Sequence, residues 1–551
     1  MGKIATIVVA ARTHFFMNSP AKSAKPAPYL AILGVVWLAS LALSLVTPIS
    51  WDVAWRLEIA ARILKGATLY TDIIELNPPL WFWSALPGVS LAQVLGASPY
   101  AIMCVLIHLT LIPALWLLDK CVAPLVSRTE RIWLVLGALV ALILLPIGEI
   151  GQREPPVLLA TLLWASLAVR RAKGIECPRW MTFSVTLFCA YGFALKHYYL
   201  IVPIGIELWL IMSLKRAWRP FRLETMMLAG VGCLYGMAVV RLSPGFLSDI
   251  VPLIRLSYDE VRSANIASPW LHPLSLALQA LLLIAPAYFI HGIVKDKPLA
   301  QIFCLSIALH ILVVFAQAKG FGNHFLAAKG MAFAMWAYAC GVASSHDAGI
   351  DTKFTVHPRL MTGVLALMWI AVPCATFFAL SKPPPKGQGG ALTTTNAVIA
   401  TLKAEPKSSR VFVVSTNAGL AFFLQWQQGR PHFSRYYAMW MLPGLFSSQS
   451  MPARQAAANA QLDIVRANTI ADIQCAAPNL LIGDTTTHGR GHGTDFQAYD
   501  IKPIQTLLTD PAFKTWLEAN YMATPETSGM SIWRAKLSHG PVPINCQYDK
   551  K

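Results

Sequence analysis

Apolar residues in the first 380 positions gather into runs of membrane length, separated by short polar breaks. Eleven runs predict membrane-spanning helices: 29–49, 99–118, 132–148, 156–169, 180–195, 199–214, 225–240, 273–290, 298–316, 325–343 and 361–380. A further apolar stretch, 79–97, opens on Pro78-Pro79 and holds Pro87, Gly88 and Gly96. It reads as a juxtamembrane helix on the outer surface. Residues 53–65 place Leu57, Ala60, Ile63 and Leu64 on one helical face and Glu58, Arg62 and Lys65 on the other. Gly66 is the expected C-cap.

The texture changes at the Pro/Gly-rich linker 381–391, which includes "SKPPPKGQGG". Beyond it, 410–416 and 479–484 read as strands, and 392–404, 451–468 and 503–520 as helices. The expected fold class is a polytopic α-helical membrane protein with a C-terminal soluble α/β domain. Its expected parts are a cytoplasmic N-terminus (1–28), a transmembrane catalytic domain (29–380) with an outer juxtamembrane loop (50–98), and a domain over 392–551.

Composition agrees. Of 551 residues, 56% are hydrophobic and 13% charged, and the mean hydropathy is +0.52. A soluble chain of this length carries far more charge. The net charge of +18 invites a nucleic-acid reading, but the cations sit in short loops between apolar runs. No basic stripe interleaves with stacking aromatics, so nucleic acid is not an expected partner.

The loop cations instead set orientation. With the N-terminus inside, the inner loops carry nineteen Lys and Arg against nine in the outer loops. Counting 79–97 as a span inverts every later loop and breaks the bias. Lys3, Arg12, Lys22 and Lys25 precede the first run, which reads as an uncleaved anchor. An odd number of spans then puts the C-terminal domain outside the cytoplasmic membrane. Eight of the ten cysteines lie in or beside apolar runs. Cys475 and Cys546 lie in the outer domain and are a candidate pair.

Ionisable groups near a bilayer are costly, so their placement is informative. Here they gather on one side. The first outer loop holds Asp52, Asp72, Glu75 and Asn77; the second, "GQREPP", holds Arg153 and Glu154. "LKHYY" brings Lys196 and His197, "SYDEVR" brings Tyr258 and Asp259, and "QAKGFGNH" brings Lys319 and His324. Five loops thus converge on one outer cleft. Each member has a plainer reading. Asp52 suits a helix N-cap, Asp72 a turn, Arg153–Glu154 a local ion pair, and Trp81 and Trp83 an interface anchor. Lys196 and His197 suit snorkelling groups, and "HGRGH" (488–492) a solvated loop rather than a metal site.

The run "WDVAWRLEIAARILKGATLYTDIIELNPPLWFW" (51–83) resembles the first outer loop of GT-C glycosyltransferases. The branch holding protein O-mannosyltransferases and lipid A aminoarabinose transferases is the nearest in pattern. In it an acid opens the loop, a juxtamembrane helix follows, and an acid stands before Pro-Pro-Leu. Arg153-Glu154-Pro155 matches the basic–acidic element of the second outer loop. Asn77 departs from the Lys that aminoarabinose transferases carry before Pro-Pro, and Val53 stands where many relatives have a second acid.

The resemblance implies an inverting transfer of sugar from a polyprenyl-phosphate donor to an envelope glycan, lipid or protein outside the membrane. Asp52 becomes the general base, with Glu154 and Glu75 completing the catalytic set. Arg153, Lys196, His197, Lys319 and His324 become phosphate donors, and Asn77, Tyr258 and Asp259 position the acceptor. The prenyl tail lies in a groove between spans with 79–97 as one wall. A divalent metal on Asp52 and Glu154 is optional, and no other cofactor is required. The alternatives are an O-antigen ligase- or polymerase-like enzyme and a lipid-linked sugar transporter. The transporter predicts charges at mid-membrane depth, where this sequence has few.

Overall fold

The computed structural model describes residues 27–266, 272–289, 297–318, 322–345, 391–485, 502–525 and 529–537. Helices α1 (Ala27–Val46), α2 (Trp51–Leu64), α3 (Leu80–Trp83), α4 (Leu86–Leu95) and α5 (Pro99–Val122) open the chain. There follow α6 (Arg128–Leu139), α7 (Glu154–Ala172), α8 (Arg179–Ala194), α9 (Ile201–Leu214) and α10 (Leu223–Leu242). The helical part closes with α11 (Val251–Ile266), α12 (Pro273–Phe289), α13 (Pro298–Gln317) and α14 (Leu326–Ser345). Helices occupy ten of the eleven expected positions; 361–380 lies outside the described residues. Six of the helical segments are long and apolar enough to cross a membrane.

Position in the bundle follows the side chains. α1 is apolar all round yet mostly exposed, as suits a helix facing lipid. α14 is buried on every side from Gly330 to Ala343, and its Ala and Gly residues let neighbours approach closely. α7 starts at Glu154-Pro155-Pro156, where proline's missing N–H costs nothing because the first turn has no partner for it.

Three expectations need correction. Residues 257–262 are not an outer loop but part of α11, so Tyr258 stands on a helix. The 79–97 segment is two short helices rather than one, broken at Ser84–Ala85 shortly before Pro87. Trp81 is no interface anchor: with Phe82 it is buried, because the Pro-Pro corner turns the chain inward.

The C-terminal region carries a four-stranded sheet of order β1-β2-β4-β3, with β1 Val411–Val414, β2 Leu480–Asp484, β3 Tyr521–Ala523 and β4 Met530–Ala535. β1 and β2 pair in parallel; the other pairs are antiparallel. Helices Ala391–Ala404 and Gln455–Ala476 stand near the expected places. The expected helix 503–520 is two, Pro503–Leu508 and Pro511–Asn520. Asp510 caps the second by accepting from Phe513 N at 2.9 Å, and Pro511 begins it. Cys475 is disulfide-bonded; its expected partner Cys546 lies outside the described residues.

Candidate active site

Helix α2 is the floor of the site. Its buried face is Val53, Ala54, Trp55, Arg56, Leu57, Ile59 and Ala60. Asp52 is not its cap. Ser50 holds that position, and Asp52 sits in the first turn, half-buried, with its carboxylate turned outward to other segments. Gln152 Nε2 donates to Asp52 Oδ2 at 3.2 Å, and Tyr437 Oη donates to Oδ1 at 3.4 Å. Both donors are neutral, and no cation within 4.0 Å pairs with Asp52 among the described residues.

The loop between α6 and α7 supplies the second side. α6 passes into a π-turn at Val140–Leu144 and a 3₁₀ turn at Ile147–Glu149 before the chain reaches Gly151. Gly151 has φ +95°, and a Cβ there would stand 2.7 Å from Met103 Cε and 3.0 Å from Val53 Cγ1. Only glycine fits. Its carbonyl accepts from Arg56 Nη1 at 2.9 Å and Trp81 Nε1 at 3.0 Å. These bonds fix the backbone that presents Gln152, Arg153 and Glu154.

Arg153 is 5% exposed, and its guanidinium carbon lies 4.3 Å from the centre of the Trp81 ring. Its Nε and Nη1 have no hydrogen-bond partner among the described residues. The expected Arg153–Glu154 ion pair is not formed: Glu154, 1% exposed, accepts from Tyr199 Oη at 3.1 Å and leaves Oε2 without a partner. Arg56 flanks the same Trp81 ring at 5.5 Å. Burial, and then the charge of Arg153, lower its pKa, while Tyr191 raises it. Two desolvated cations beside one ring favour an anion.

Glu75 is surrounded. Trp55 Nε1 donates to Oε2 at 2.8 Å, and Oε1 accepts from Leu76 N, Asn77 N and Asn77 Nδ2 at 2.8, 3.0 and 2.7 Å. This is the environment of a carboxylate that shapes its loop. Asn77 is committed to Glu75 in the same way, and its carbonyl accepts from Tyr70 Oη at 2.6 Å.

The remaining expected residues divide. Lys196 is buried and donates to Gln317 Oε1 at 3.1 Å, three residues before the Tyr199 that holds Glu154. His324 is buried in the turn Gly322–Phe325, and exposed His197 stacks on Tyr198. Tyr258 packs its ring 5.4 Å from Trp440. Lys319, the side chain of Asp259 and the 488–492 segment lie outside the described residues.

Two residues escaped the sequence reading. Glu149 lies near enough to Asp52 and Glu154 for their charges to raise its pKa. Burial is the larger cause, and the carboxyl is pushed up to about 7 although a hydrogen bond with Gln152 opposes the shift. An acid at the end of an apolar run, three residues before Gln152, was the available signal. Tyr437 had no such signal.

An apolar cavity of about 620 Å³ opens beside these groups. Arg56, Ser84, Gly151 and Gln152 line its polar part; most of the rest is side chains of α4, α5, α7 and α8, among them Val89, Leu106, Leu159 and Phe188. No set of three His, Cys, Asp or Glu side chains is placed to hold a metal ion among the described residues.

No family model matches the sequence, and no curated protein matches it. Solved structures do match. ArnT from Cupriavidus metallidurans, bound to undecaprenyl phosphate, aligns over 93% of this chain and 98% of its own, at 10% identity and a TM-score of 0.51. The arabinofuranosyltransferase AftD from mycobacteria aligns over 92% of this chain and 40% of its own, at 13% identity and a TM-score of 0.42. The match to ArnT runs nearly end to end in both chains, and with its helices long and apolar enough to cross a membrane this protein is a membrane protein of the GT-C fold.

Proposed function

We propose that this chain is an inverting glycosyltransferase that moves a sugar from a polyprenyl-phosphate donor to an acceptor at the outer side of the cytoplasmic membrane. The observation that carries the reading is Arg153: a buried guanidinium with two N–H donors unpartnered among the described residues, next to Glu154 and flanked in sequence by Gln152 and Pro155, which line an apolar cavity. A lipid phosphate answers each demand. Its oxygens satisfy the donors, and its prenyl chain fills the cavity, with α4 as one wall as the sequence suggests.

In the reaction Asp52 takes the proton of the acceptor hydroxyl as that oxygen attacks the anomeric carbon. The bond from the anomeric carbon to the phosphate oxygen breaks on the opposite face, and its electron pair leaves with the phosphate. Arg153 stabilises the charge that grows there, with Lys196 and Lys319 as further cations. The unpartnered Oε2 of Glu154 is placed to accept from a hydroxyl of sugar or acceptor. Glu75 and Asn77 hold Trp55 and the Pro-Pro corner.

The outer orientation draws on the nineteen-to-nine bias of loop cations and on the disulfide at Cys475, a bond of oxidising compartments. The test is transfer by the purified chain in nanodiscs, offered a panel of undecaprenyl-phosphate sugars and acceptors from the envelope. Transfer with inversion at the anomeric carbon supports the reading. Retention of configuration, or uptake of sugar lipid across vesicles without transfer, removes it.

A further inference from the structure

The acid proposed as base is held from two directions, and one of them is the C-terminal region. The segment 430–441 leaves the sheet region and lies along α2 and the loop after it. Arg62 Nη1 donates to Ser434 O at 2.9 Å, and Ile74 N donates to Arg435 O at 2.8 Å. Ile74 and Tyr436 form a parallel bridge. The far side of the segment is equally fixed. Arg435 grips Asp472 through Nη2 at 2.8 Å and Nε at 3.0 Å, and Arg430 donates to four backbone carbonyls, those of Leu402, Glu405, Pro406 and Ser409. Met439 N donates to Ser415 O at 2.8 Å, at the end of β1.

Within this braced strap the Tyr437 ring lies 5.3 Å from Trp55 and 5.7 Å from Phe422. Trp55 in turn carries the Glu75 bond, so ring packing and carboxylate geometry are one unit. The Tyr437 hydroxyl ends at Asp52 Oδ1. Burial, then the charges of Asp52 and Glu75, hold its pKa well above the ordinary tyrosine value, which keeps the O–H a donor.

We infer that Tyr437 is a positioning residue of the transfer reaction: the C-terminal region completes the active site by fixing one oxygen of Asp52 while Gln152 fixes the other. This rests on the reading of Asp52 as base. A carboxylate held by two neutral donors keeps its orientation without the competing charge of a cation, and its remaining lone pairs face the acceptor. The bond at 3.4 Å is long for O–H···O, as catalytic hydrogen bonds commonly are without substrate bound.

The experiment compares the full chain with Tyr437→Phe and Asp52→Asn in nanodiscs. Tyr437→Phe keeps the ring and its contacts and removes only the hydroxyl. Three readouts are taken: affinity for undecaprenyl phosphate, thermal midpoint, and kcat on whichever undecaprenyl-phosphate sugar the wild type turns over. The expected result is kcat lowered about 10- to 100-fold in Tyr437→Phe, as for loss of a hydrogen bond to a charged group. Affinity and thermal midpoint stay unchanged. A kcat within about twofold of wild type, with Asp52→Asn inactive, overturns the inference and leaves the base assignment standing. A fall in kcat accompanied by a lowered midpoint or affinity also overturns it, since packing then explains the loss. Normal turnover by Asp52→Asn removes the base assignment and the inference with it.

Discussion

Helix α7 carries arginine–carboxylate chemistry at both ends, and the two ends differ. At its C-terminal end Arg171 forms a two-point bond with Glu224, at 3.0 Å through each of Nε and Nη2. Arg222 joins the same Glu224 at 2.9 Å and Glu207 at 2.7 Å, and Trp218 caps Glu207. In that network cation meets anion, while the neighbouring Arg170 turns to the backbone carbonyls of Lys120 and Glu176 and leaves its Nε unpartnered among the described residues. At its N-terminal end Arg153 and Glu154 are neighbours that do not pair, and each leaves a buried polar atom unpartnered among the described residues. Among the described residues Asp52 meets only neutral donors. A closed network stabilises a fold; an open one waits for a ligand to supply the missing charges.

That contrast can be broken by substitution. The largest effect is expected at Asp52→Asn: kcat falls by roughly 10²- to 10⁴-fold, the usual weight of a general base, while undecaprenyl phosphate still binds. Next, Arg153→Gln weakens undecaprenyl phosphate binding about 10- to 100-fold in a titration and leaves the thermal midpoint unchanged or raised, because an unpartnered buried cation is removed. At the other end the pattern reverses. Arg222→Gln lowers stability by about 1–3 kcal/mol, read as the thermal midpoint, with binding intact. If Arg153→Gln destabilises and Arg222→Gln loses ligand, the two ends have been misread.

The smallest effect tests the acid that sequence reasoning passed over. Folding lifts Glu149 from its ordinary 4.5 to about 7. Between those values the unfolded chain releases a proton that the folded chain keeps. Rising pH through this window therefore costs stability, and above about pH 7 the full penalty stands. Glu149→Gln should raise the thermal midpoint above about pH 7 and leave it unchanged below about pH 4.5.

What the sequence disclosed follows from the range of the interactions. Helix positions were legible because membrane burial writes itself as unbroken apolar runs. The approach of the 151–154 loop to Asp52, made through Gln152, was legible because bilayer topology forces loops on one side together. Arg153's unpaired state was not, since adjacent opposite charges ordinarily suggest an ion pair; the pinned Gly151 carbonyl decides otherwise. Trp81 read as a surface anchor because aromatic clusters beside acids mark interfaces, yet here the ring is the platform for two guanidinium groups. Tyr437 carries no periodic or local signature, because its contact depends on how the C-terminal region sits on α2.

The Asp52–Tyr437 bond joins residues 385 positions apart. A ribosome has long since made Asp52 before it reaches the tyrosine bonded to it. A nascent chain thus has the apolar cavity and Gln152 in place while Asp52 still lacks the second of its two donors. Under the proposed reading, premature discharge of carrier-bound sugar into water is disfavoured until translation of the C-terminal region is finished.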